Sequence, residues 1–282
     1  MSSALSLSYF VLPSALILSV LVSGCGDDGG TQADTPDAAA SGSTPDASVS
    51  GGFSTLVTGN WEIPGGTEGY QCVRRTVSED TYITGFRSVG PLGTHHTVLT
   101  VGDPSGPDGI SECSAGTNAD SMIFGSGVGD VEYNFPPGVG VKIAAGQQLL
   151  LNLHLFNIDD AALTGTSGTE AKLVTAAEIE NEAESVLMGT VSINLPPGQK
   201  TEVGVCTAER DLTLLTVAPH MHQLGTHMKV EAIRADGNRM LHDDPYDFYD
   251  QKLYPIEPLV LKAGDKVEVS CTYNNTTGDT VS

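Results

Sequence analysis

Five of the seven histidines in this chain fall in three short clusters: His95-His96, His154 and His220-Met221-His222. Each cluster lies in or beside an apolar, β-branched stretch. Neutral imidazole is the commonest protein ligand for copper and zinc, so histidines gathered at strand-like positions point to a metal site. The plainer reading, histidines scattered over surface and core, leaves the clustering unexplained. His227 and His242 belong to no cluster; one reads as a spare on a following strand and the other as a loop residue.

The elements that must hold these side chains read as strands. Short apolar stretches recur between Gly, Pro, Asn and Asp at 81–86, 97–101, 148–156, 186–195, 212–217, 228–233 and 267–273. Several alternate apolar with polar residues and are rich in Val, Thr, Ile and Tyr, the pattern of antiparallel sandwich strands. Segment 169–184 has a composition that suits either a helix or a connection between two halves. Strand alternation would turn His220 and His222 to the same side. Leu149, Leu151, Leu153 and Leu155 would enter the core together, leaving His154 beside Asn152 on the other face. His95 and His96 are adjacent and would face opposite sides of a regular strand. Both can reach one ion only where the backbone twists, bulges or ends, and Gly93 after Pro91 permits such an irregularity.

Bulk properties narrow the partners. A formal charge of −22 argues against nucleic acid, whose phosphates need Lys and Arg to displace counterions. Abundant glycine (33 residues) and few charges (17%) suit a loop-rich β protein. Residues 10–22 are apolar and run into Ser23-Gly24-Cys25, which looks like a bacterial lipoprotein signal with Cys25 lipidated, although no Lys or Arg precedes it. Residues 26–58 are rich in Gly, Ser, Asp and Pro and read as a disordered tether. The expectation is an exported, membrane-anchored lipoprotein facing the periplasm or the cell surface. Cys72, Cys113, Cys206 and Cys271 remain, an even number that favours disulfides in an exported chain. Three pairings are open; local pairing, Cys72–Cys113 and Cys206–Cys271, is the first choice.

From about Asn60 onward, an ordered set of motifs resembles the copper type II, ascorbate-dependent monooxygenases, the family of peptidylglycine α-hydroxylating monooxygenase and dopamine β-hydroxylase. The set comprises Tyr70-x-Cys72, Thr94-His95-His96-Thr97-Val98-Leu99, Cys113, Pro137-Gly138-Val139-Gly140 and Asn152-Leu153-His154. In the second half it continues with Pro196-Pro197-Gly198-Gln199-Lys200, Cys206, His220-Met221-His222-Gln223-Leu224-Gly225, Ala263-Gly264-Asp265 and Cys271.

The resemblance implies an all-β chain of two tandem antiparallel jelly-roll-like β-sandwich domains, at 59–180 and 181–282. It implies two copper ions: an electron-transfer copper on His95, His96 and His154, and an oxygen-activating copper on His220 and His222. Ascorbate or another one-electron donor, O₂ and a small-molecule substrate would be the co-reactants, and no protein partner is implied. In the family, a methionine ligand and a partner cysteine lie in a segment after the strand matching 267–273. The sequence reaches Ser282 before that segment, so the second domain is expected to be incomplete and the Cys206–Cys271 pair is a default. Ala218 stands where peptide-hydroxylating members carry an arginine, so peptide amidation is not carried over. The alternative is a copper-binding, sequestering surface lipoprotein that does no hydroxylation. A cupin-type site would want a glutamate soon after the His-x-His pair, and 223–228 contains none.

Overall fold

The computed structural model describes the backbone of Ile17–Ser23 and residues 52–114, 121–127, 129, 131–188, 193–248 and 251–281. Cys25 and most of the tether lie outside the described residues. The chain is an all-β protein built from mainly antiparallel sheets packed as sandwiches.

The first half centres on a five-stranded sheet in the spatial order Gly109–Glu112, Thr67–Thr76, Gln148–Asn157, Thr94–Gly102 and Ser121–Ser126. Phe53–Ile63, Leu163–Val174, Thr81–Val89 and Val139–Ile143 belong to the opposing sheet. Between the two sheets lies a core that includes Trp61, Ile83, Phe86, Leu99, Phe124 and Ile143. Leu149, Leu151, Leu153 and Leu155 join this core, all 1% exposed or less, as alternation predicts. The second half has a four-stranded sheet, Gly198–Thr207, Lys266–Asn275, Gly225–Ile233 and Arg239–Pro245. Its core takes in Leu214, Met221, Met228, Val230, Leu261 and Val269, drawing on Leu212–His220 and Tyr254–Leu261.

The larger sheet has nine strands and continues from one half into the other. Asn181–Leu187 pairs with Val139–Ile143 on one side, and the backbone of Ile17–Ser23 runs parallel between Asn181–Leu187 and Leu212–His220. The strand assigned from sequence to the export leader therefore bridges the two sandwiches here.

Several expectations are corrected. Segment 169–184 is not helical: a strand runs to Val174, a single 3₁₀ turn spans Ala176–Glu178, and the next strand begins at Asn181. Thr169 and Ala171 are fully buried, and β-branched residues on an alternating face favour the sheet. The stretch 186–195 is not one strand; Asn181–Leu187 ends there, and Leu195 forms an isolated bridge with Val281. The fold also starts before residue 59, because Phe53–Ile63 is a strand whose Leu56 and Val57 are 3% exposed. His242 lies in the Arg239–Pro245 strand rather than a loop, its ring tilted 60° against Tyr254 at 4.7 Å.

Cys72 and Cys113 form a disulfide with Cα atoms 5.8 Å apart. Closing this loop of 41 residues stabilises the fold by about 4 kcal/mol on the chain-entropy estimate. Cys206 and Cys271 do not bridge each other. They lie on paired neighbouring strands, but Cys271 is opposite Glu202 while Cys206 is opposite Val267. That four-residue offset puts them about 13 Å apart along the strand, beyond disulfide reach.

Candidate metal centre

The paired histidines sit on a bulge. The Gln148–Asn157 strand keeps register with Thr94–Gly102 down to His154 opposite His96, after which Leu155 lies opposite Thr94 and His95 is the extra residue. Gly93 enters the bulge with φ of +99°, and its carbonyl accepts from the Phe156 N–H at 2.8 Å. A Cβ at Gly93 would lie 2.7 Å from the Trp61 ring, so the position demands glycine for both conformation and space. From the opposing sheet, Trp61 Nε1 donates to Ser167 Oγ at 2.7 Å, and Ser167 Oγ bonds Thr94 Oγ1 at 2.6 Å. This buried polar chain pins the strand one residue before the histidines.

His154 lies in a cross-strand row between Tyr70 on one neighbour and His96 on the other. The Tyr70 ring stacks on His154 at 4.4 Å and 6° between planes. The disulfide anchors the same strand pair: Cys72 is opposite Asn152, whose side-chain amide donates to the Ser114 carbonyl at 2.9 Å.

Bulge and row together bring His95, His96 and His154 to one point, with one ligand atom from each lying within 4.8 Å of the others. His95 Nδ1 is 3.0 Å from His96 Nδ1, which is 3.3 Å from His154 Nδ1. A neutral imidazole carries one N–H, and its bare nitrogen has one lone pair. His96 Nδ1 can satisfy only one of its two neighbours by hydrogen bonding, and a cation at the convergence would satisfy all three. Nitrogens bound at about 2.0 Å in a tetrahedral shell stand about 3.3 Å apart, close to the separations found.

Burial keeps these rings neutral. It is the chief cause that pushes His96 down to about 2, with His154, His95, His220 and His222 adding to it. Burial, then His95, lowers His154 to about 4. His95 is also lowered by burial, opposed by the Glu68 carboxylate. Neutral, buried nitrogen donors fit a borderline transition ion such as copper. His154 Nε2 is buried with no hydrogen-bond partner among the described residues, and the nearest carboxylate oxygen, on Glu68, is 3.7 Å away. Glu68 and Tyr70 share a strand face, so Glu68 is placed to orient the N–H that His154 must carry there when Nδ1 is a ligand.

The second pair sits across the junction of the halves. His220 is the last residue of Leu212–His220, and His222 lies beyond the strand in the turn closed by Gly225 N–H to the His222 carbonyl at 2.8 Å. Simple strand alternation therefore does not set their orientation, but their rings stand 5.3 Å apart. Met221 between them is fully buried in the second core, and the Tyr246 hydroxyl donates to its carbonyl. His220 Nδ1 is 2.6 Å from Gln251 Oε1. Burial lowers the His220 pKa, and the Gln251 bond opposes that shift. Phe248, from the same segment as Gln251, tilts over His95 at 4.9 Å, so this part of the second half reaches both histidine groups.

His227 and His242 stay apart from both groups. His227 Nε2 is 3.3 Å from Asp243, and His242 Nδ1 is 3.7 Å from Asp244. Sequence reading missed Glu68, Phe248 and Gln251. Glu68 could have been found from the period-two spacing Glu68-x-Tyr70-x-Cys72, whereas Phe248 and Gln251 act through tertiary contacts that carry no local pattern.

Sequence comparison relates the chain to known proteins. Residues 181–282 match the model of the copper type II ascorbate-dependent monooxygenase C-terminal domain. The chain is 27% identical over 199 residues to a DBH-like monooxygenase protein 2 of Homo sapiens, a match covering 62% of this chain and 40% of that protein. It is 26% identical over 195 residues to the Mus musculus DBH-like monooxygenase protein 2, covering 59% of this chain and 31% of the relative. The matches thus span less than half the length of either relative. They support the family resemblance carried by the motifs, and that family is copper- and ascorbate-dependent.

Proposed function

We propose that this protein is a copper-dependent monooxygenase that hydroxylates a C–H bond of a small substrate. The observation that carries the reading is the convergence of three neutral imidazoles, two buried and one half-buried, in a chain whose residues 181–282 match the family's C-terminal domain. His95, His96 and His154 would hold an electron-transfer copper, and His220 and His222 would hold an oxygen-activating one. Copper, when bound, supplies one-electron redox cycling and O₂ chemistry that side chains lack. Overall, R–H, O₂, two electrons and two protons give R–OH and water, with ascorbate or another one-electron donor supplying the electrons.

The chain's own residues bind, orient and shield. The Gly93 bulge aims two adjacent imidazoles at one point, Tyr70 fixes the plane of the third, and Glu68 stands ready to hold its outer N–H. Phe248 lies over His95 and keeps water from that face. Export, with anchoring through a lipid on Cys25, would place the site outside the cytoplasm; among the described residues no helix is long and apolar enough to cross a membrane.

A second reading, copper sequestration without catalysis, is favoured by one observation. Among the described residues, His95, His96 and His154 are the one group of three or more His, Cys, Asp or Glu residues arranged to hold a metal ion, and His220/His222 is a pair. The deciding experiment supplies copper-loaded protein with ascorbate, ¹⁸O₂ and a panel of small apolar substrates. Transfer of one ¹⁸O atom into a product is expected. Bound copper with no labelled product from any substrate would favour sequestration.

A further inference from the structure

The second histidine pair contacts a residue, Gln251, that lies outside the motifs noted above. Gln251 Nε2 donates to the Phe248 carbonyl at 3.0 Å, which fixes the amide's orientation and leaves Oε1 facing His220 Nδ1 at 2.6 Å. An amide oxygen only accepts, so the proton must sit on His220 Nδ1. Neutral imidazole has one N–H, and Nε2 is then left bare as the donor nitrogen. The triad is arranged the other way round, with its Nδ1 atoms converging.

Gln251 is itself seated by the other half of the molecule. Gly127 packs against its backbone so closely that a Cβ there would lie 2.5 Å from the Gln251 carbonyl oxygen and 3.1 Å from its nitrogen. Leu253, two residues on, packs against the first-half core, and Phe248 lies on His95. Nothing about Gly127's own backbone requires glycine, since its φ is not positive. The close approach of Gln251 does.

We propose that Gly127 and Gln251 form a positioning relay across the junction: the first half seats Gln251, and Gln251 sets His220 in the tautomer that exposes Nε2. Docking of the halves is thereby coupled to readiness of the His220/His222 pair. The tautomer claim stands without any metal; only its consequence for copper rests on the function proposed above.

The test is long-range ¹H–¹⁵N correlation spectroscopy on the full, metal-free chain with ¹⁵N-labelled histidine, His220 being assigned from His220→Gln. Wild type should show His220 with a protonated Nδ1 and a bare Nε2. Gln251→Leu should shift His220 toward the opposite tautomer or a mixture, and Gln251→Glu should restore the wild-type signature. Gly127→Val should reproduce the Gln251→Leu spectrum although residue 127 touches neither imidazole pair. A protonated Nε2 on wild-type His220, or an unchanged signature in folded Gly127→Val and Gln251→Leu, would overturn the proposal. In a copper titration, both variants should lose about 10–100-fold in affinity at the second pair only. If wild type binds no copper while the tautomer pattern holds, the functional reading fails and the relay stands.

Discussion

Three neutral imidazoles facing one another are a costly arrangement to bury unless something binds them, and the cost shows as pH dependence. In the unfolded chain imidazole titrates at 6.5, whereas folded His154 titrates at about 4 and His96 at about 2. Between those values the unfolded chain holds more protons, so stability rises with pH and falls as pH drops below about 6.5. The metal-free protein should therefore have a lower urea midpoint at pH 5 than at pH 7, a window above the range where carboxylates titrate. His154→Gln should shrink that difference. A midpoint that does not move between pH 5 and pH 7 would show that these rings are not buried neutral. At this scale the ligand types were legible because histidine is rare here and clustered. Glu68 was not, since its role depends on standing beside His154 across two paired strands.

At the scale of the element, the bulge makes a ligand pair out of neighbours that a regular strand would separate. Gly93→Ala places a Cβ against Trp61 at a φ of +99°, and should cost about 1–3 kcal/mol. It should also weaken copper at the triad more than at His220/His222. Stability and copper content both matching wild type would contradict the bulge's role. The sequence announced this element well: Pro91, Gly93 and adjacent histidines imply an irregular strand end. The leucine face of the Gln148–Asn157 strand was equally plain, because leucine at every second position marks the side that enters the core, although the strand is buried on its other side as well. Segment 169–184 was not, because its Ala and Glu residues suit a helix while its partners in the sheet are distant in sequence. Cys206 and Cys271 misled for a related reason. Cysteine number suggests a bond, but strand register decides distance, and register is fixed by pairs such as Cys206 with Val267 that sequence does not display.

Over the whole molecule, two sandwiches bring their histidine groups close enough for His220 and His222 to disfavour protonation of His96. Phe248 lies against His95 and Gln251 bonds His220 at that junction. The acidic charge of −22 belongs to the same scale; it argues against nucleic acid as a partner and does not explain the site. Anchoring is a separate prediction: Cys25→Ser should release the exported protein from the membrane fraction, and continued membrane association would sink the lipoprotein reading. The most direct check on the central claim is copper content by elemental analysis of purified wild type and His154→Ala, with circular dichroism on both. With the strand spectrum unchanged, His154→Ala is expected to lose about one equivalent of copper. Equal copper in the two proteins would mean that His95, His96 and His154 do not form a metal centre.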